Sequence, residues 1–194
     1  MHYLIFAILC SVSVSVLLKV ARKHNIVIEQ AIAFNYIVAL SLCYFLLKPD
    51  FKGLGFTDFF LQSEAQPIFL TLGILLPVGF IVMSRAVEYA GIVRTDAAQR
   101  LALFLQIIAA VFIFNESLSQ MRIIGVVVAF GALFCLLFKP ATAIENATKA
   151  AIFLAGVWLI WGSTGILFKK IALMGGAFPT TLFISFVLAG CIIF

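Results

Sequence analysis

Seven stretches of this sequence contain no Lys, Arg, Asp or Glu: residues 1–18, 30–47, 65–84, 101–115, 123–138, 150–168 and 171–194. A water-soluble domain cannot tolerate so many uncharged lengths, because about a quarter of its residues are charged. Here 11% are charged and 64% are hydrophobic, so the solvent that fits the fold is lipid. A membrane helix needs about 20 mainly apolar residues. Most of the runs meet that length, and the fourth reaches it by extending back over Arg100 to residue 97. Sustained polar–apolar alternation is missing, which argues against a barrel, and helices satisfy their own backbone groups inside hydrocarbon. The expected fold is therefore an all-α integral membrane protein, a multi-span helical bundle.

Turn signals separate the runs: Lys48-Pro49-Asp50, Gly53 with Gly55, Lys139-Pro140 and Gly175-Gly176. Only residues 51–66 leave room for a short surface helix. The first run lacks the basic region that precedes the apolar core of a signal peptide, and Lys19, Arg22 and Lys23 follow it instead. It reads as a retained first span. The last run reaches Phe194 without a polar flank, so the expectation is a fragment of a longer protein.

The net charge of +5 is scattered, and no basic run is interleaved with aromatics, which excludes a nucleic-acid surface. Cys10, Cys43, Cys135 and Cys191 lie inside apolar runs without metal or redox spacing and read as packing residues. His2 and His24 are terminal to runs, and every carboxylate falls at or near a run's end. That distribution offers neither a proton relay at mid-membrane nor a hydrolytic carboxylate pair. No metal, cofactor or enzymatic activity is expected.

A displacement of 150 residues lays Ser13 on Ser163 and Lys19 on Lys169. If the repeat is real its unit holds five spans, and an odd number turns the second copy upside down. Inverted repeats of this kind build many secondary transporters, with the substrate site between the halves.

The segments SRAVEYAG, AAQRLALFLQIIAAVFIFNESLS and IIGVVVAFGALF resemble the end of the first repeat in the EamA branch of the drug/metabolite transporter superfamily. GVWLIWGSTGILFKK is similar to the start of its second repeat. The resemblance implies a first five-span repeat over residues 1–139, an incomplete inverted repeat over 149–194, and absent spans eight to ten. It also implies a multi-pass protein of the cell inner (plasma) membrane that moves a small organic solute by alternating access, with a cytoplasmic amino terminus. Lys and Arg counts favour the opposite orientation, eight in odd-numbered loops against five in even-numbered ones. The partners expected are a small-molecule substrate and the lipid bilayer, with a homodimer left open. The alternatives are a membrane-embedded lipid-modifying enzyme and a noncatalytic membrane subunit.

Candidate pathway residues are the polar groups within the runs. Ser11, Ser15 and Lys19 share one helical face, as do Trp161, Gly165 and Lys169 on the sixth span. They either line a pathway or serve close packing and snorkelling. Gln99 and Gln106 lie seven apart on the fourth span, and Asn35 with Tyr36 sits near the middle of the second. Such amides either ligate a solute or bond between helices. Trp158 and Trp161 either stack a ring-bearing substrate or anchor a helix end. Charge gathers between Ser84 and Gln106 because helix ends return to water there, and Arg85 with Glu88 and Asp96 with Arg100 have the spacing of helix-surface pairs. Arg85 and Arg100 lie far enough into their spans to face a cavity. Glu116 reads as the architectural close of the fourth span, and Pro77 between Gly73 and Gly79 as a kink in the third.

Overall fold

The computed structural model describes residues 27–51, 64–117, 119–137 and 146–193, together with residues 13, 16, 20, 56, 59 and 60. Every regular element among them is helical: α1 (Ile28–Leu42), which continues as a π-helical turn over Cys43–Leu47, α2 (Gln66–Ala90), α3 (Ile92–Phe112), α4 (Gln120–Leu137), α5 (Ala147–Leu173) and α6 (Phe178–Ile193). Among the described residues, four helical stretches are long and apolar enough to cross a membrane: Gln30–Leu47, Gln66–Ala90, Ile92–Phe112 and Ala147–Leu173. By length and composition this is a helical membrane protein. The first apolar run, with Ser11, Ser15 and Lys19, lies almost wholly outside the described residues.

Two helix boundaries are set by glycine. The charged stretch from Ser84 to Gln106 is made of two helix ends joined by a single residue: α2 runs to Ala90, Gly91 adopts φ 83°, and α3 begins at the next residue, five residues before the start expected at residue 97. A glycine reaches that left-handed angle without steric cost, so one residue is enough to break the helix. The charged side chains then ride on helical ends, where long side chains reach toward water. Likewise α5 carries Lys169 and Lys170 within it and continues to Leu173, just short of the Gly175-Gly176 turn signal. Its end is set by Gly175 at φ 81°. The Gly176 amide donates to the Ile171 carbonyl and the Gly175 amide to Ala172, a glycine-capped termination that satisfies the last carbonyls.

The chain divides into two compact units, one of Val82–Ser163 with Met1–Val20 and one of Ala21–Ile81 with Thr164–Phe194. In the second, Ala65, Ile68, Phe69 and Leu72 of α2 and its approach bury against Ile171 and Ile184. Phe51, Phe56 and Phe183 close this core edge to face, with ring centroids 5.8–6.3 Å apart. Gly73 is what lets α6 come so near: a Cβ there would lie 2.6 Å from Leu188 Cβ. The segment that follows the π-helical turn is tied to α6 by Thr180, whose hydroxyl donates to the Asp50 carbonyl at 2.9 Å. Pro77 sits inside α2 without ending it.

In the first unit, Met83, Ala86, Ala98 and Val157 form the buried centre, flanked by Phe153, Leu154 and Trp161. The partly buried Phe130 of α4 meets Phe104 of α3 edge to face at 5.6 Å. The α3 terminus is closed by Asn115 at φ 50°, with the Glu116 amide donating to the Ala110 carbonyl. Asparagine tolerates the left-handed region better than most side chains, which explains its place in the Phe114-Asn115-Glu116 junction.

Candidate functional site

Within the first unit, α3 and α5 meet where side chains are small. Ala98, Ala102 and Ala109 are buried on α3, and a Cβ at Gly162 of α5 would lie 3.0 Å from Leu105 Cβ. Leu105 therefore packs against bare helix backbone. At that separation side-chain donors reach main-chain oxygens across the seam. The Trp158 indole Nε1 donates to the Leu101 carbonyl at 3.1 Å, and the Gln106 amide Nε2 donates to the Trp161 carbonyl at 3.3 Å. A helical carbonyl already accepts one bond along its own helix, and its second lone pair takes the additional donor.

The two bonds run in opposite directions, one donor from each helix, so neither helix can rotate about its axis without breaking one. With Nε2 engaged, the Gln106 amide presents Oε1 as an acceptor. Gln99, half-buried two turns earlier on α3, adds a second amide to the same helix. The seam thus supplies one amide, Gln106, and one indole, Trp158, held to backbone, a geometry that can orient a hydrogen-bonding organic solute. Among the described residues no group of three or more His, Cys, Asp and Glu stands together.

Gln106, Trp158 and Trp161 are thus brought together from positions far apart in sequence. Tyr36 lies in the other unit, fully buried, with its ring edge-on to Phe80 and Phe186. Asn35, its neighbour on α1, is exposed. Arg85 and Arg100 are exposed and pair along their own helices, Arg85 with Glu88 at 3.4 Å and Arg100 with Asp96 at 2.7 Å. Lys169 is half-buried within α5. Ser11, Ser15 and Lys19 lie outside the described residues.

Two features are not foreseen in the sequence. Gly162 is the close-approach residue of the seam, and its only signal is the run of small residues that follows Trp161. At the amino-terminal end of α5, Phe153 stacks on Tyr89 with centroids 5.4 Å apart and planes 3° off parallel, and Lys149 Nζ sits 5.7 Å from the same tyrosine ring. A cation over a stacked aromatic pair joins α5 to the carboxyl end of α2.

Compared with known proteins, the chain is 66% identical over 195 residues to an uncharacterized protein of Haemophilus influenzae, a match that covers 100% of this chain and 67% of that protein. The chain belongs to that protein's family. No family model matches it, and no solved structure does.

Proposed function

We propose that the chain forms part of a secondary transporter of the drug/metabolite type, which moves a small organic solute across a bacterial inner membrane by alternating access. The observation that carries this reading is the α3–α5 seam: two amides and two indoles on helices of membrane-crossing length, with the Gln106 and Trp158 donors fixed to opposing backbones. Polar side chains in hydrocarbon are costly and serve either packing or passage. Gln106 Oε1 and the Trp158 and Trp161 ring faces offer a solute both a hydrogen-bond acceptor and a stacking surface. The resemblance of the Phe114-Asn115-Glu116-Ser117 junction to the EamA branch supports the same reading. In this reading residues 1–139 are the first repeat and 149–194 begin an inverted second one.

The test is solute flux into proteoliposomes that contain the full-length protein, measured across a broad panel of neutral and zwitterionic metabolites. At least one solute should move by a saturable route, and Gln106→Leu should lower its uptake more than Arg100→Ala does. No saturable flux for any solute overturns the proposal.

A further inference from the structure

The end of the first unit formed by the α2–α3 hairpin and the start of α5 gathers Arg85, Glu88, Arg94, Asp96, Arg100 and Lys149. Both of these carboxylates are engaged, Glu88 by Arg85 at 3.4 Å and Asp96 by Arg100 at 2.7 Å. Arg94 and Lys149 meet no carboxylate among the described residues. Their charges are left without a counter-charge at the boundary of two helices of membrane-crossing length, α3 and α5.

Neither cation is placed where the helix itself gains from it. Arg94 is half-buried in the first turn of α3, where the helix dipole favours acidic side chains over basic ones. Lys149 is exposed, yet its Nζ lies 5.7 Å from the ring centroid of Tyr89, which Phe153 backs at 5.4 Å with the planes 3° off parallel. The stacked rings hold the ammonium at one place on the boundary. Tyr89 precedes the Gly91 break by two residues and Arg94 follows it by three, so helix geometry keeps their Cα atoms within about 11 Å. Long basic side chains can close on one anion over that span.

The surrounding surface says what the anion is attached to. Ile152 and Leu159 are 63% and 52% exposed and share the face of α5 that carries Lys149, at spacings of three and seven residues. Val93, beside Arg94, is 58% exposed. A free anion would leave that apolar stripe bare, whereas a phospholipid sets its phosphate on the cations and its hydrocarbon along the stripe. The uncompensated charge favours an anionic headgroup over a zwitterionic one. From this we infer that this end of the first unit binds an anionic phospholipid, with Arg94 and Lys149 contacting the phosphate and an acyl chain lying along Ile152 and Leu159. The site requires only the membrane-helix fold and is independent of the transport reading.

The full-length protein is purified in an uncharged alkyl maltoside, and its thermal unfolding midpoint is followed as a probe is added. The probes are dioleoyl phosphatidylglycerol, dioleoyl phosphatidylcholine and soluble glycerol phosphate. Phosphatidylglycerol should raise the midpoint at lower concentration than phosphatidylcholine does, and glycerol phosphate should leave it unmoved. Loss of two basic side chains at a membrane surface weakens anionic-lipid binding about 25-fold. In Arg94→Gln/Lys149→Gln the half-maximal phosphatidylglycerol concentration should rise by about that factor, with the phosphatidylcholine response unchanged. Lys149→Arg should behave as wild type. So should Lys48→Gln/Lys170→Gln, which removes the same charge from exposed positions of the other unit. Equal wild-type responses to the two lipids, equal losses in the two double variants, or a shift by glycerol phosphate as large as that by phosphatidylglycerol overturn the inference. Should Arg94→Gln/Lys149→Gln fail to fold, the exposed Lys149→Gln variant decides by the same comparison, with about a fivefold rise expected and no rise overturning the inference.

Discussion

Replacing Gly73 by alanine tests the packing account at its tightest point. The added Cβ would lie 2.6 Å from Leu188 Cβ and 3.6 Å from the Leu188 main-chain carbonyl carbon, whereas carbon atoms rest at about 3.5–4.0 Å. No rotamer of Leu188 relieves this, because Cβ moves only with the backbone. Helix α6 must therefore retreat from α2 by about 1 Å, loosening the cluster of Phe69, Leu72 and Ile184. Overpacking of a closed core costs about 1–3 kcal/mol, and alanine's helical advantage over glycine returns about 1 kcal/mol. With the clash at the upper end of its range, the net loss is about 2 kcal/mol. For a chain of this size that lowers the thermal midpoint by roughly 4–8 °C. Gly125 of α4 is the matched control, since a Cβ there meets nothing within 4 Å. Gly125→Ala should gain about 0.5–1 kcal/mol. Midpoints measured side by side in one detergent decide the matter, and a Gly73→Ala protein as stable as Gly125→Ala would refute the close-approach reasoning.

Three further outcomes follow from the geometry. Trp158→Phe removes the bond to the Leu101 carbonyl and should cost about 0.5–1.5 kcal/mol in thermal or denaturant unfolding. Asn115→Gly should be close to neutral while Asn115→Val costs about 1–2 kcal/mol, because only the valine is strained at φ 50°. Arg100→Ala should lose no more than about 0.5 kcal/mol at low salt and nothing measurable at high salt, since its pair with Asp96 is solvent-exposed.

The apolar spans were legible because hydropathy is a local property. The second run, 30–47, coincides with the span Gln30–Leu47, since a glutamate before it and Lys48-Pro49 after it mark both ends. Where charge interrupted a run, composition put the boundary a few residues late: the fourth span was expected from residue 97, but Arg94 and Asp96 also belong to α3, because backbone conformation at Gly91, not polarity, decides where the helix breaks. The spacing of Arg85 with Glu88 and Asp96 with Arg100 foretold real pairs, because partners three or four apart share a helical face whatever the tertiary fold. The seam partners were not legible. Gln106 and Trp161 are 55 residues apart, and nothing local in either says which backbone carbonyl it will face. The enclosure of Tyr36 by Phe80 and Phe186 is hidden from the sequence for the same reason.

The central claim is that α3 and α4 cross the bilayer in succession, as a carrier built from packed membrane helices requires. Single cysteines introduced at Val93, Ser117 and Asn146 in a background free of native cysteines, and labelled in intact and permeabilised cells with a membrane-impermeant thiol reagent, test it most directly. Val93 and Asn146 should label from one side, in keeping with the contact of Lys149 with Tyr89, and Ser117 from the other. Labelling of Val93 and Ser117 from the same side would mean that α3 does not cross, and the account would be contradicted.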